Sequence, residues 1–273
     1  MKIAVVQMGV REDKSENMSR AAGFVAQAAA KGADIVVLPE MFNCPYQTRN
    51  FPVYAEKSGG ECWQILADAA RDSHVYLVGG SIPERDDEGR IYNTSFVFDR
   101  AGDQIARCRK THMFDIDVPG GQRFKESETL TPGSEITTFD TEFGTMGLLI
   151  CYDIRFPEMM RVMANRGAKV VFVPAAFNMT TGPAHWELLF RCRAADYQFF
   201  TVGAAPARDE KGVYVSYANS IIVSPWGKVL LRLGAGEEIG FYDVSLGEVD
   251  RVRTQLPLRN HYKPPLYEAQ AKL

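Results

Sequence analysis

The chain alternates between short, wholly apolar runs and longer stretches with apolar residues at helical spacing. Residues 2–8 (Lys2-Ile3-Ala4-Val5-Val6-Gln7-Met8) form a short apolar run, which predicts a strand buried on both faces. Residues 15–31 place Met18, Ala21, Ala22, Val25, Ala28 and Ala29 on one helical face, and Gly32 supplies a stop. Residues 34–38 make a second apolar strand, cut off by Pro39. Two buried strands joined through a helix favour a parallel pair with a right-handed crossover.

The same alternation continues along the chain. Helices are expected over residues 61–73, 157–165 and 184–197. Strands are expected over 75–79, 146–150, 169–173, 199–203 and 239–244. Residues 91–98 and 104–109 flank the Gly-containing turn Asp99-Arg100-Ala101-Gly102-Asp103 and read as a hairpin. A second hairpin pairs 213–224 with 228–231 across Pro225-Trp226-Gly227. Residues 256–273 carry Pro257, Pro264 and Pro265 with little periodicity, and are expected to wrap a surface or a partner subunit. No linker, Pro/Ser tract or charge block marks a boundary, so residues 1–273 read as one domain of the α/β class. At this length a chain buries most of its apolar surface without disulfides or metal.

Composition removes several function classes. The chain has 31 Lys+Arg and 34 Asp+Glu, a formal net charge of -3, which gives no electrostatic reason to bind nucleic acid or an anionic membrane. No apolar run approaches the ~20 residues that span a bilayer. The amino terminus enters a strand directly, with no signal-peptide pattern. The five cysteines, Cys44, Cys62, Cys108, Cys151 and Cys192, are odd in number and widely spaced, with no CxxC pair. That argues against a disulfide framework or a structural zinc site, and free thiols suit a reducing cytoplasm.

Three polar residues stand where expected buried strands stop. Glu40 follows Ile35-Val36-Val37-Leu38-Pro39, Lys110 follows the strand ending at Arg109, and Cys151 follows Gly147-Leu148-Leu149-Ile150. Ligands in α/β sheets collect outside the carboxyl ends of strands, so an acid, an ammonium and a thiol at such ends point to one pocket. Cys151 leads into a helix start with Pro157 in its first turn, and a helix N-terminus or a nearby Lys110 ammonium favours the thiolate. Glu40 would be the base toward the thiol, and Lys110 would stabilise an oxyanion. Each residue also has a plainer reading: a buried structural cysteine, a solvated loop carboxylate, and one more surface lysine beside Arg107 and Arg109. Glu126, among Lys125 and Glu128, reads by composition as a surface residue. His112 and His185 raise a papain-like Cys–His alternative, although neither carries a family signature. No P-loop, GxGxxG after a strand, GxSxG elbow or HExxH occurs, so cofactor-free and metal-free chemistry is the default.

At these residues the sequence closely resembles the nitrilase superfamily of carbon–nitrogen hydrolases, and within it the omega-amidase branch. The resemblance runs from Lys2 to about Trp226 and is carried by five segments in order. They are Leu38-Pro39-Glu40-Met41-Phe42-Asn43-Cys44-Pro45-Tyr46, Arg109-Lys110-Thr111-His112-Met113-Phe114-Asp115-Ile116-Asp117, Ile150-Cys151-Tyr152-Asp153-Ile154-Arg155-Phe156-Pro157-Glu158, Phe177-Asn178-Met179-Thr180-Thr181-Gly182-Pro183-Ala184-His185-Trp186, and Ser224-Pro225-Trp226-Gly227. The sequence departs from the family pattern at Tyr217-Ala218-Asn219-Ser220, where relatives often have Gly-His-Ser.

The resemblance implies a Glu–Lys–Cys triad at Glu40, Lys110 and Cys151, with Glu126 as a second pocket carboxylate. It implies a four-layer αββα sandwich that dimerises through helices 157–165 and 184–197 into eight layers. It also implies hydrolysis of a small amide through a cysteine thioester, with a 2-oxo acid amide such as 2-oxoglutaramate or 2-oxosuccinamate as substrate. Such a substrate carries a carboxylate remote from the scissile bond. Tyr46, Arg155, Thr180 and Thr181 could meet it, with Tyr152 and Phe177 also lining the pocket. Arg155 reads equally as a structural salt-bridge partner. A sister amidase or carbamoylase, including one for deaminated glutathione, a nitrilase proper, and a non-catalytic interaction protein are the alternatives. Cys44, four residues after Glu40, is a second thiol near the pocket.

Overall fold

Successive residues of the first strand face two different cores. In β1 (Lys2–Gln7), Ile3 and Val5 pack between two sheets, while Ala4 and Val6 pack beneath helices. β2 (Ile35–Val37) divides in the same way, with Ile35 and Val37 inward and Val36 outward. This two-sided burial is why these runs are apolar throughout rather than alternating.

The computed structural model describes residues 1–119 and 123–268. After β2 come β3 (Tyr76–Val78), β4 (Ile82–Arg85), β5 (Ile91–Phe98) and β6 (Gln104–Arg109). A two-stranded ribbon follows, β7 (Asp115–Asp117) with β8 (Arg123–Lys125). The second sheet holds β9 (Thr137–Thr141), β10 (Gly144–Leu148), β11 (Val170–Pro174), β12 (Phe200–Ala204), β13 (Ile221–Val223) and β14 (Val229–Arg232). β15 (Glu238–Asp243) returns to the first sheet, beside β1. The longer helices are α1 (Lys14–Ala30), α3 (Glu61–Ser73), α4 (Pro157–Asn165), α5 (Gly182–Tyr197) and α6 (Gly247–Gln255); α2 (Phe51–Tyr54), α7 (Leu258–His261) and α8 (Pro264–Glu268) are short.

The first sheet runs β15-β1-β2-β3-β5-β4 with β6 paired to β5, and the second runs β14-β13-β12-β11-β10-β9. Within them β1, β2 and β3 are parallel, as are β10, β11 and β12. Met18, Ala21, Val25 and Ala28 of α1, with Leu66 and Ala70 of α3, cover the outer face of the first sheet. Met160 and Met163 of α4, with Trp186, Phe190 and Ala194 of α5, join the core of the second. The layers are therefore α, β, β and α, as expected.

Gly203 of β12 sets how closely α5 approaches. A Cβ at this position would lie 2.4 Å from Phe190 Cζ and 3.0 Å from Trp186 Cζ2. Gly203→Ala is expected to push Phe190 out of register and to cost about 1–3 kcal/mol, as overpacked cores do, read as a lower urea midpoint. An unchanged midpoint would mean that α5 adjusts freely.

Several elements escaped the periodicity. β4 contains Pro83 and Glu84, which argue against a strand, but it is an edge strand where proline is tolerated. Glu84 is buried because Arg109 pairs with it at 2.8 Å and Thr94 Oγ1 donates to it at 2.7 Å. β9 lies at the edge of the second sheet, and α6 buries only Val249 and Val252, so both carry weak apolar signals. The strand expected over 213–224 is only Ile221–Val223, because Ala218 (φ 56°) and Asn219 (φ 60°) take left-handed backbone that no strand accommodates. Asn219 is held there from several sides: its carbonyl accepts from Trp186 Nε1 at 2.7 Å, and its side chain donates to the Tyr217 carbonyl at 2.6 Å.

The described part of the tail lies against α4. Arg161 stands 4.1 Å over the Tyr262 ring, Tyr262 stacks on Tyr267, and Gln198 Nε2 donates to the Leu256 carbonyl. Residues 269–273 of the expected tail lie outside the described residues. Among the described residues no helix is long and apolar enough to cross a membrane, and no group of three or more His, Cys, Asp or Glu could hold a metal ion.

Candidate active site

Strand direction brings the three strand-end residues to one place. β3 is parallel to β2, β5 is antiparallel to β3, and β6 is antiparallel to β5, so β6 runs with β2. Glu40 and Lys110 therefore leave the first sheet at the same end. Cys151 follows β10 in the facing sheet, and its electrostatic coupling to both residues places it beside them. Lys110 Nζ lies 3.1 Å from Glu40 Oε1 and 2.8 Å from Glu126 Oε1, and all three residues are fully buried. Glu126 is thus part of the pocket and not a surface residue, carried inward by a short 3-10 turn after β8.

Glu40 is held by groups from four segments. Asn93 Nδ2 (2.8 Å), Lys110 Nζ (3.1 Å) and Tyr46 OH (3.2 Å) donate to Oε1, and the Ala176 N–H donates to Oε2 at 2.7 Å. The loop beneath it is tight. Gly80 (φ 59°) passes so close to Pro39 that a Cβ would sit 2.2 Å from the Pro39 carbonyl oxygen. The Ser81 N–H donates to that carbonyl, and Ser81 Oγ accepts from the N–H of Met41, itself at φ 50°. Glu126 accepts from Tyr46 OH and Lys110 on one oxygen and from the Phe114 N–H at 2.7 Å on the other.

Burial sets the protonation states. The Cys151 thiol is pushed well up, first by burial and next by the Glu40 carboxylate, with which it hydrogen-bonds; Lys110 offsets this only in part. Burial and the adjacent carboxylate thus favour the thiol over the thiolate. This opposes the expected pull of a helix N-terminus and of Lys110 toward the thiolate. Cys151 opens a five-residue 3-10 helix (Cys151–Arg155), and α4 starts only at Pro157. Burial alone would pull the Lys110 ammonium down, but Glu126 and Glu40 outweigh it and hold the pKa well above its ordinary value. Burial pushes the Glu126 carboxyl up against the pull of Lys110. Cys151 also sits at φ 48°, a left-handed conformation that costs a non-glycine residue about 1–3 kcal/mol and clusters at functional sites.

Asp153, not singled out from the sequence, ties the lysine segment to the cysteine segment. Its carboxylate accepts from the N–H groups of Thr111 (3.2 Å), His112 (2.8 Å) and Ile150 (3.4 Å). His112 Nδ1 faces the same carboxylate at 2.8 Å while its ring stacks on Phe156 at 3.5 Å. His185 Nδ1 faces Arg155 at 3.2 Å. Both histidines are thus engaged elsewhere, and the Cys–His alternative loses its partners. Asn93 had a weak signal, an amide opening the polar stretch Asn93-Thr94-Ser95 between the apolar ends of β5. Tyr214, whose ring lies 4.6 Å from Tyr46 and whose hydroxyl donates to the Ala176 carbonyl, had none, because it sits in an irregular loop.

The residues expected to line the pocket separate by role. Tyr46 bridges the two carboxylates. Tyr152 follows the thiol and packs on Phe114 at 5.3 Å. Arg155 stands 5.5 Å from the Tyr152 ring and 5.2 Å from the Phe177 ring, and Cys151 acts on it electrostatically. No carboxylate among the described residues pairs with it, so the salt-bridge reading falls. Burial draws its pKa down, and its Nε is buried without a partner. Thr180 is exposed. The Thr181 hydroxyl is committed to Asn178 Oδ1 at 3.0 Å, in the turn before α5. A cleft of about 360 Å³ adjoins the site, reaching Glu40, Tyr46 and Tyr214 but not Cys151, Lys110 or Arg155.

Comparison with known proteins gives one family. The carbon-nitrogen hydrolase family model matches residues 2–254. Omega-amidase NIT2 of Bos taurus is 48% identical over 271 residues, 99% of this chain and 98% of that protein. The crystal structure of Saccharomyces cerevisiae Nit3, a member of branch 10 of the nitrilase superfamily, matches with a TM-score of 0.88 and 40% identity over 94% of each chain. The amidase from Nesterenkonia sp. AN1 matches with a TM-score of 0.78 and 26% identity, over 96% of this chain and 97% of that one. A glutamate-to-glutamine mutant of that amidase carries the acetamide moiety of fluoroacetamide on its active site cysteine. With a buried acid, ammonium and thiol gathered at the strand ends and relatives matching over its whole length, the chain belongs to the carbon-nitrogen hydrolase family, whose members act on carbon–nitrogen bonds other than peptide bonds.

Proposed function

We propose that the protein is an omega-amidase that hydrolyses 2-oxo acid amides such as 2-oxoglutaramate and 2-oxosuccinamate. Arg155 carries this reading: a half-buried guanidinium with no carboxylate partner among the described residues, set four residues after the thiol. A desolvated arginine left unpaired is costly, and a substrate carboxylate completes it with two parallel charge-assisted hydrogen bonds. Phe177 and Tyr152 flank that guanidinium and would pack on the substrate's carbon chain.

In the cycle, Glu40 takes the Cys151 proton as sulfur attacks the amide carbon. Lys110 and the Tyr152 N–H hold the oxyanion. The intermediate collapses as Glu40 returns the proton to nitrogen, releasing ammonia and leaving a thioester. Glu40 then takes a proton from water, hydroxide adds to the thioester, and the departing sulfur recovers that proton. Attack and departure by sulfur divide one difficult hydrolysis into two easier steps. Glu126 keeps Lys110 in place, and Tyr46 links both carboxylates. Two copies are inferred to associate through the outer faces of α4 and α5, where Leu188 is 57% exposed. The thiols suit a reducing cytoplasm.

The test is ammonia release from 2-oxoglutaramate, 2-oxosuccinamate, glutamine, asparagine and a simple aliphatic amide. Arg155→Met is expected to lower kcat/KM for the two oxo-acid amides by about 100-fold, the loss of a charge-assisted pair, with a smaller effect on the aliphatic amide. Activity confined to another amide would move the protein to a sister amidase. Silence on every amide would favour a non-catalytic scaffold.

A further inference from the structure

We propose that His185 is a positioning residue that sets the preference for anionic substrates by orienting the Arg155 guanidinium. This rests on the reading that Arg155 receives the substrate carboxylate. Arginine offers only N–H donors, so the 3.2 Å contact between Arg155 Nη1 and His185 Nδ1 requires the Nδ1 lone pair to face the guanidinium. The imidazole is then the neutral tautomer with its proton on Nε2. Among the described residues it is the one side chain that accepts a hydrogen bond from this guanidinium. The remaining hold is weaker: aromatic faces more than 5 Å away, and an Nε without a partner.

His185 is itself built in. Asn178 Oδ1 accepts from the N–H groups of Thr180 and Thr181 and from the Thr181 hydroxyl, shaping the turn into α5. The His185 N–H donates to the Thr181 carbonyl at 2.9 Å, which seats the imidazole in the first turn of that helix. Further along α5, Arg193 donates to the carbonyls of Ile154 (2.9 Å) and Arg155 (3.0 Å). One helix thus grips the end of the nucleophile's turn by its backbone and by its guanidinium. The fixed neutral acceptor leaves the guanidinium's charge whole while choosing its direction, which a carboxylate at this place could not do without cancelling the attraction for substrate.

The experiment compares wild type, His185→Ala and His185→Gln on 2-oxoglutaramate and on butyramide, and on the rates at which iodoacetate and iodoacetamide alkylate Cys151. In His185→Ala, kcat/KM for 2-oxoglutaramate is expected to fall about tenfold, mainly through KM, the loss of one hydrogen bond to a charged group. The loss on butyramide should be several-fold smaller, and the ratio of iodoacetate to iodoacetamide rates should fall. His185→Gln, whose amide oxygen can accept from Arg155, should recover most of the preference. Equal losses on both substrates, or a glutamine variant no better than alanine, would overturn the role of His185. If wild type itself prefers neither anionic reagent nor anionic amide, the Arg155 reading fails first and the proposal falls with it.

Discussion

Cys151→Ala is expected to lose ammonia release by a factor on the order of 10⁴ or more, the scale on which nucleophile removal disables a concerted site, while Cys44→Ser keeps most activity. The contrast rests on what surrounds two buried thiols. Cys151 is electrostatically coupled to Glu40, Lys110 and Glu126 and hydrogen-bonded to Glu40, so its proton has an acceptor. Cys44 is raised far above the ordinary thiol range by burial, with Lys14 drawing it down, and among the described residues its thiol makes no hydrogen bond to a carboxylate. Cys108 is pushed up to about 12 by burial and donates to the Leu148 carbonyl at 3.5 Å. Cys192 is exposed, so iodoacetamide labels it as background and peptide mapping is required. An active Cys151→Ala or an inactive Cys44→Ser, each folded by circular dichroism, would reverse the assignment.

Lys110→Met is expected to cost about 3–5 kcal/mol of stability at neutral pH, the range for removing one partner of a buried ion pair, and to lower kcat by about 100- to 1,000-fold, as loss of an oxyanion donor does. The ammonium is the positive charge between two fully buried carboxylates, and removing it leaves them facing each other. The stability loss should depend on pH with a definite sign. The Glu126 carboxyl is already raised by burial, and without Lys110 it rises further. A carboxyl raised on folding favours the folded state below its unfolded pKa of about 4.3 and loses that contribution as pH climbs through the folded value. The gap between variant and wild type in urea unfolding should therefore be small near pH 4 and widen toward pH 8. A gap independent of pH would mean that the carboxylates relax apart or hydrate when the lysine is gone.

Much of the architecture was legible along the chain, because a strand buried on both faces must be apolar at every position. Ile3 to Val6, Ile35 to Val37 and Val170 to Val173 announce themselves for that reason. Edge elements did not: β4 carries Pro83 and Glu84, and its charge is satisfied by Arg109 and Arg107, neighbours distant in sequence. The strand ends marked Glu40, Lys110 and Cys151, although only the strands before Glu40 and Cys151 are buried runs; β6, before Lys110, is mostly half-buried or exposed. Residues that act through tertiary contact alone left weaker traces or none. Asp153 and Tyr214 stand among ordinary neighbours and acquire meaning only when β6, β10 and β11 converge.

The sequence by itself determined the α/β class, the polar residues at the strand ends and, through its motifs, the family with the four layers it implies. Only the tertiary structure decided that Glu126 is buried, that both histidines are engaged away from the thiol, and that burial and Glu40 raise the thiol's pKa. The physical reason is that protonation depends on how much water is removed and which charges lie within a few ångströms. Both are sums over segments far apart along the chain, and no local pattern encodes them.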